Sequence, residues 1–373
     1  MSICCVVGAR PNFMKMAPVV DALKEEGLPP LLVHTGQHYD QALSQVFFDQ
    51  LGMPHPDVHL EVGSDSHARQ TARLLTTFEE VCLEHQPELV VVAGDVNSTV
   101  AAALVATKLH IPVAHVEAGL RSFDRAMPEE INRVLTDHMS TLLLVSEESG
   151  LVNLRREGIE GTTGRDAIEV ALVGNCMVDS LVTHRAAAVA AAPWREHGLE
   201  PGGYALVTLH RPANVDTREA LGPILDTLAQ VAAETGWPVL FPLHPRTAAR
   251  LESWGLELPT GIRGCPPLPY LSFLGLMARA AAVLTDSGGI QEETTALGVP
   301  CLTLRENTER PSTVELGSNR LVGSDRELIL RSVTEIKTGQ WRSGTVPPLW
   351  DGAAGKRVAR RIGDWLDRQA GES

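Results

Sequence analysis

The sequence has six cysteines, Cys4, Cys5, Cys82, Cys176, Cys265 and Cys301, but no Cys-x-x-Cys pair. Several lie in apolar, strand-like runs, so they are expected to be buried thiols in a reducing compartment, not a disulfide framework or a zinc site. No other cluster has metal-ligand spacing, so no metal is expected. No apolar run reaches transmembrane length, and the first residues, Met1 to Gly8, are too short for a signal peptide. A cytoplasmic protein with no membrane partner is therefore expected. Walker loop, nucleophile elbow and Gly-x-Gly-x-x-Gly fingerprint are all lacking, which removes the usual signatures of P-loop, serine-hydrolase and dinucleotide chemistry. Positive charge is also short, at 32 Lys+Arg against 46 Asp+Glu, a net charge of −14. That balance argues against a non-specific nucleic-acid or anionic-membrane binder. An anionic ligand would need local cations and backbone amides to hold it. No fixed-period repeat is present.

What is present is alternation. At 373 residues the chain is long enough for two ordinary domains. In the first half, apolar runs at 3–7, 31–35, 89–93, 112–117 and 142–145 predict strands. Amphipathic stretches at 15–26, 41–51, 67–85, 99–109 and 129–139 predict helices. The stretch between 161 and 201 is looser, with a strand predicted at 170–175 and an alanine-rich helix at 183–192, and after it the alternation returns. Strands are predicted at 204–209, 238–243, 283–285 and 300–304, and helices at 218–235, 271–280, 291–297, 326–338 and 355–368. Continuous apolar strands between helices indicate parallel sheets covered on both faces. The expected fold is α/β, with two Rossmann-like, doubly wound domains facing across a cleft. The domains are placed at 1–170 and 171–355, with a terminal helix at 356–373 packing back on the first. Paired α/β halves usually bind their ligand in such a cleft.

The candidate residues lie where strands end. Thr285-Asp286-Ser287-Gly288-Gly289 runs from a strand into a helix. Such a turn offers free amides and a positive dipole end to a phosphate, and its glycines allow close approach. It also reads as an ordinary βα turn with a Ser cap. Glu293 lies about one turn into that helix, within reach of a ribose edge if a nucleotide sits there. After the first strand, Arg10 and Lys15 bring two cations to one crevice, or are solvated surface residues. Asp95 either caps a helix or serves as an acid or base. Glu117 ends an apolar strand, where burial can adapt a carboxylate for proton transfer. Glu129 and Glu130 open a helix behind Pro128, and one of them is there for the dipole. His210, followed by Arg211, ends the second half's first strand, and His244 repeats the pattern one strand later. Arg310 follows the strand after the Ser-Gly-Gly turn.

Taken in order, these motifs resemble the non-hydrolysing UDP-N-acetylglucosamine 2-epimerases across nearly the whole chain. The matching pieces are Gly8-Ala9-Arg10-Pro11 with Lys15, Thr35-Gly36-Gln37-His38, Gly94-Asp95, His115-Val116-Glu117-Ala118-Gly119-Leu120-Arg121 and Pro128-Glu129-Glu130-Ile131-Asn132-Arg133. They continue with His210-Arg211, the stretch from Thr285 to Glu293, and Thr308-Glu309-Arg310-Pro311. The resemblance implies a GT-B-like fold, UDP in the interdomain cleft, no cofactor and a homodimer. It implies that UDP-GlcNAc and UDP-ManNAc interconvert by elimination of UDP to 2-acetamidoglucal and re-addition. It assigns acid–base work to Asp95, Glu117 and Glu130, with His210 close to the diphosphate. It assigns UDP binding to Arg10, Lys15, Ser287, Gly288, Gly289 and Arg310, the ribose to Glu293 and the uracil to the segment near Phe273. Some bacterial members hold a second UDP-sugar, and Gln37, His38, Arg69, Arg211 and His244 fall at the matching positions. Asp40 departs from that pattern with an acidic side chain.

Competing readings stay within reach of the same residues. Thr35 to Asp40, Phe47-Phe48 and Gly63 to His67 also look like enzymes that epimerise UDP-2,3-diacetamido-glucuronate. A hydrolysing epimerase, a GT-B glycosyltransferase and an idle UDP-sugar sensor are the others.

Overall fold

The computed structural model describes residues 2–36, 52–162 and 167–371. By internal contacts the chain divides into two compact units. The first comprises Met1–Ser180 together with Pro348–Ser373, and the second Leu181–Pro347.

The first unit is built on a seven-stranded sheet: β1 (Ile3–Val7), β2 (Leu31–His34), β3 (Val58–His59), β4 (Leu89–Ala93), β5 (Val113–Ala118), β6 (Leu142–Val145) and β7 (Glu169–Leu172). The order is β3-β2-β1-β4-β5-β6-β7, with every pairing parallel. Its helices are α1 (Arg10–Glu25), α2 (His67–His85), α3 (Asn97–Lys108), α4 (Pro128–Met139) and α5 (Glu148–Arg156). The helix α6 (Cys176–Ala190) carries the unit boundary within it. Strands β1, β4 and β5 are buried along their whole length, as expected of central strands in a sheet covered on both faces. α2 starts where the Ser66 hydroxyl accepts the Arg69 amide and ends at Gln86 in the left-handed region.

The second unit holds a six-stranded parallel sheet: β8 (Ala205–Thr208), β9 (Val239–Pro242), β10 (Ile262–Cys265), β11 (Ala282–Thr285), β12 (Cys301–Thr303) and β13 (Asn319–Leu321), in the order β10-β9-β8-β11-β12-β13. Its helices are α7 (Pro212–Val215), α8 (Arg218–Thr235), α9 (Pro245–Ser253), α10 (Tyr270–Met277), α11 (Gly288–Leu297), α12 (Pro311–Glu315) and α13 (Arg326–Lys337). Gly236 and Gly298, both at positive φ, end α8 and α11. The core is apolar and mostly aliphatic, and includes Val207, Leu225, Leu228, Val239, Phe241, Leu284 and Leu302. The last helix, α14 (Ala354–Gly371), belongs to the first unit. There Asp179 accepts the amides of Ala354 (3.1 Å) and Gly355 (2.7 Å), capping it.

The strand order of each sheet reverses at one point, between β1 and β4 in the first and between β8 and β11 in the second. Open α/β sheets bind ligands outside the carboxyl ends of the strands at such a switch point.

Several elements differ from what the pattern predicts. β3, β10 and β13 carry no apolar run, and all three are sheet edges, where only one neighbour and less burial select the residues. α9 is largely polar. α1 begins at Arg10 because Pro11 can stand in a first turn, and α6 begins at Cys176. The helix expected at 41–51 lies outside the described residues. Cys4, Cys5, Cys82, Cys176 and Cys301 are buried and unpaired, and Cys265 is half-buried. Burial pushes the Cys82 and Cys301 thiols up to about 11. Among the described residues no helix is long and apolar enough to cross a membrane.

Candidate active site

In the first unit the switch point is stapled by Asn12. Its Oδ1 accepts the Ala9 amide (3.1 Å) and its Nδ2 donates to the Ala93 carbonyl (2.6 Å), tying the start of α1 to the end of β4. The next residue, Gly94, has φ +66°, and a Cβ there would stand 2.9 Å from Lys15 Nζ. Glycine therefore fits for two reasons, backbone conformation and the approach of this ammonium.

Lys15 is 5% exposed, and its Nζ pairs with the Glu117 carboxylate. Glu117 is itself buried, at φ +73°. The β5–β6 register shifts between Val116 and Ala118, so Glu117 occupies an irregularity that re-aims its side chain. A left-handed non-glycine residue costs roughly 1–2 kcal/mol. Such strain gathers at functional positions.

Asp95 and Glu130 meet through one guanidinium. Arg133 donates from Nε (2.9 Å) and Nη2 (2.6 Å) to Asp95 Oδ2, and from Nη1 (2.8 Å) to Glu130 Oε2. Glu130 is further held by the Ser122 amide (2.9 Å), the Ser122 hydroxyl (3.0 Å) and the Phe123 amide (2.9 Å). The N-cap residue of α3 is Val96, one position after Asp95, and it makes no side-chain cap bond. Asn132 donates to the Asp95 carbonyl (2.9 Å) and fixes that loop. Of the two glutamates opening α4, Glu130 is buried and bonded to the preceding loop, whereas Glu129 is half-buried.

In the second unit the switch point brings His210 and Asp286 together. Asp286 is fully buried and accepts the His210 amide (3.1 Å), the Arg211 amide (2.9 Å), Asn214 Nδ2 (3.1 Å) and His210 Nδ1 (2.9 Å). Burial alone would raise this carboxyl. The His210 ring beside it, with the Arg211 amide and Asn214, holds it below the usual carboxylate range. His210 is left with Nε2 facing away from Asp286. His244 stands near it, ring centroids 5.7 Å apart, and caps α9 by accepting the Arg246 amide (3.2 Å).

Ser287 is the N-cap residue of α11 but makes no side-chain cap bond, so its hydroxyl is not committed to the helix. A Cβ on Gly288 would come 2.6 Å from Arg310 Nη1. Arg310 is buried, with Nε 2.9 Å from Glu292 and Nη1 3.5 Å from Glu309. A buried guanidinium therefore stands beside the amides of a helix N-terminus, an arrangement suited to a diphosphate. Beneath, Gln291 accepts Thr308 Oγ1 (2.6 Å) and Asn319 Nδ2 (3.1 Å), which fixes the turn against the following loop. Glu293 is buried and accepts the Tyr270 hydroxyl (3.1 Å). Phe273, half-buried, follows on the same helix as Tyr270.

Arg211 reaches Glu309 only at 4.0 Å, and its Nε is buried with no hydrogen-bond partner among the described residues. Arg69 is exposed on α2. Gln37 and His38 lie outside the described residues, as does the side chain of Arg10. Sequence reading did not single out Arg133 or Asp286 as site residues, although both stand inside the quoted motifs. Arg133 carries one signal, its position three residues beyond Glu130 on the same helix face.

A family model described as UDP-N-acetylglucosamine 2-epimerase matches residues 21–363. The chain is 41% identical over 369 residues to a UDP-N-acetylglucosamine 2-epimerase of Methanocaldococcus jannaschii, covering 96% of this chain and 98% of that protein. It is 42% identical over 334 residues to the UDP-2,3-diacetamido-2,3-dideoxy-D-glucuronate 2-epimerase of Pseudomonas aeruginosa, covering 90% or nearly so of each chain (89% and 91%). A crystal structure of the Methanocaldococcus jannaschii enzyme in complex with UDP-GlcNAc and UDP aligns with a TM-score of 0.88, covering 98% of this chain and all of that one (100%).

Proposed function

Because the chain belongs to the UDP-N-acetylglucosamine 2-epimerase family of isomerases, we propose that it interconverts UDP-GlcNAc and UDP-ManNAc without hydrolysis. A base takes the C2 proton, and the C2–H electrons form a C1=C2 double bond. The C1–O bond breaks with its electrons going to the diphosphate. Re-addition of UDP at C1, with a proton delivered to the opposite face of C2, gives the epimer. Two faces require two proton-bearing groups, and Asp95, Glu117 and Glu130 supply the carboxylates. The observation that carries this reading is their common placement at the carboxyl ends of β4 and β5 and the start of α4. There a single Arg133 joins Asp95 to Glu130, and Lys15 holds Glu117.

The second unit holds UDP in this reading. The α11 amides at Ser287, Gly288 and Gly289, with Arg310 and His210, stabilise charge developing on the departing diphosphate. Glu293 takes the ribose and the Phe273 segment the uracil. A homodimer in the cytoplasm is part of the same proposal.

The test is incubation with UDP-GlcNAc in deuterated buffer. UDP-ManNAc carrying deuterium at C2, with no free sugar, is the expected result. Release of free ManNAc and UDP would make the enzyme a hydrolysing one, and transfer to an acceptor without deuterium uptake would make it a glycosyltransferase. The relative from Pseudomonas aeruginosa favours one further reading, a 2,3-diacetamido-glucuronate nucleotide as substrate. Side-by-side turnover of the two UDP-sugars decides between them.

A further inference from the structure

Behind the carboxylates lies a buried ionic cluster that the proposed reaction does not use. His115 is on β5, two residues before Glu117, and is 0% exposed. Its Nδ1 faces Asp137 Oδ1 at 2.7 Å and its Nε2 faces the Gly94 carbonyl at 2.8 Å. Both neighbours are acceptors, so each ring nitrogen must carry a proton for both contacts to be favourable. Asp137, 1% exposed, also accepts the Gly119 amide (3.0 Å) and pairs with Arg121 Nη1 (2.7 Å). Arg121 in turn grips Glu157 through Nε (2.8 Å) and Nη2 (2.7 Å). The titratable and charged groups facing His115 are thus Asp137, with Arg121 and Glu157 behind it. Burial alone would raise the Asp137 carboxyl, but His115 and then Arg121 hold it below the usual carboxylate range.

What the cluster grips is backbone on either side of the proposed acid–base groups. The Gly94 carbonyl immediately precedes Asp95. The Gly119 amide lies two residues past Glu117. Both glycines have positive φ, +66° and +82°, a conformation that suits glycine at these tight turns. Gly119 also packs closely on its neighbour, since a Cβ there would meet the Gly150 carbonyl oxygen at 2.5 Å.

We propose that His115 is a positioning residue, donating from both ring nitrogens so that the ends of β4 and β5 hold Asp95 and Glu117 in register. It rests on the reading of those two carboxylates as proton-transferring groups.

Two substitutions separate its donors. His115→Asn keeps a donor near the Nδ1 position, toward Asp137, and loses the one to Gly94. His115→Gln keeps a donor near Nε2, toward Gly94, and loses the one to Asp137. Misplacing a reacting group by about an ångström can cost about a hundredfold in rate. The expected result is a kcat for His115→Asn down by about a hundredfold, with KM for UDP-GlcNAc and affinity for UDP within about twofold. The loss in His115→Gln should be smaller. Wild-type kcat in folded His115→Asn would overturn the proposal, as would equal losses of kcat and UDP affinity. Histidine-selective 15N NMR of the wild-type protein supplies an arm that needs no folded variant. Two protonated ring nitrogens on His115 are expected, and one unprotonated nitrogen overturns the two-donor geometry. If the wild-type protein incorporates no deuterium at C2, the proton-transfer reading fails, and the NMR arm still judges the two donors.

Discussion

Glu117 joins two costs that a merely structural residue would avoid, a left-handed backbone and a buried charge. The buried charge is offset by Lys15, whose ammonium reaches it past the side-chain-free Gly94. Removing one partner of a buried pair strands the other and typically costs about 3–5 kcal/mol. Lys15→Met should therefore lower stability by about that amount and cut C2 deuterium exchange by at least about a hundredfold. Adding Glu117→Gln removes the stranded carboxylate. Most of the lost stability should return in denaturant titrations while exchange stays lost. Additive losses in that double-mutant cycle would mean that the pair does not couple. At this scale the sequence exposes the carboxylates but not their partners. Asp95, Glu117 and Glu130 are legible because polar residues at the ends of apolar strands stand out. Lys15, Arg133 and Asp286 meet their partners across gaps of 102, 38 and 76 residues, and only the packed sheet order brings those segments together. Ser287 makes the same point from the other side. It has the identity of a helix cap, and the structure leaves its hydroxyl without a cap bond.

At the scale of the element, α11 and the loop before α12 act together. The helix supplies its N-terminal amides, and the loop supplies Arg310, buried over Gly288 between Glu292 and Glu309. A methyl on Gly288 would meet Arg310 Nη1 at 2.6 Å, and that guanidinium is confined by both glutamates. Gly288→Ala should thus shift Arg310 while leaving the helix intact, since alanine favours helix more than glycine by about 1 kcal/mol. UDP affinity, measured by calorimetry, should fall by at least about tenfold, the equivalent of one lost charge-assisted contact, with an unchanged or higher melting temperature. Unchanged affinity would move the diphosphate away from this turn. Element by element, the central strands are legible and three of the four sheet edges are not. β1, β4, β6 and α2 and α8 fall where the apolar pattern puts them. β3, β10 and β13 do not, because Ile262-Arg263-Gly264-Cys265 or Asn319-Arg320-Leu321 need satisfy only one neighbouring strand.

At the scale of the whole chain, the first unit is closed by residues that arrive last. Pro348–Ser373 returns to it after the entire second unit has been made. The Trp350 indole donates to the Ser146 carbonyl (3.0 Å), at the end of β6, and Arg357 Nε donates to the Val173 carbonyl (2.6 Å), after β7. Gly355 lies against α1 so closely that a Cβ would meet the Pro18 carbonyl oxygen at 2.5 Å. Val358, Ile362, Trp365 and Leu366 are buried along α14. At about 1.5–3 kcal/mol for each large apolar side chain, these four contribute roughly 6–12 kcal/mol before ordering costs. That is comparable with the entire margin of an ordinary domain, about 5–15 kcal/mol. Truncation after Pro347 should therefore unfold the first unit and leave the second, which is compact by its own internal contacts. The expected outcome is loss of C2 exchange, a large drop in the melting temperature, and limited proteolysis that digests the first unit but spares a fragment near residues 181–347. That fragment retains His210, Arg310 and the Ser287 turn, so it should still bind UDP. A truncated chain that melts and turns over like the full one would show that the returning helix is an accessory to the first unit rather than part of its core.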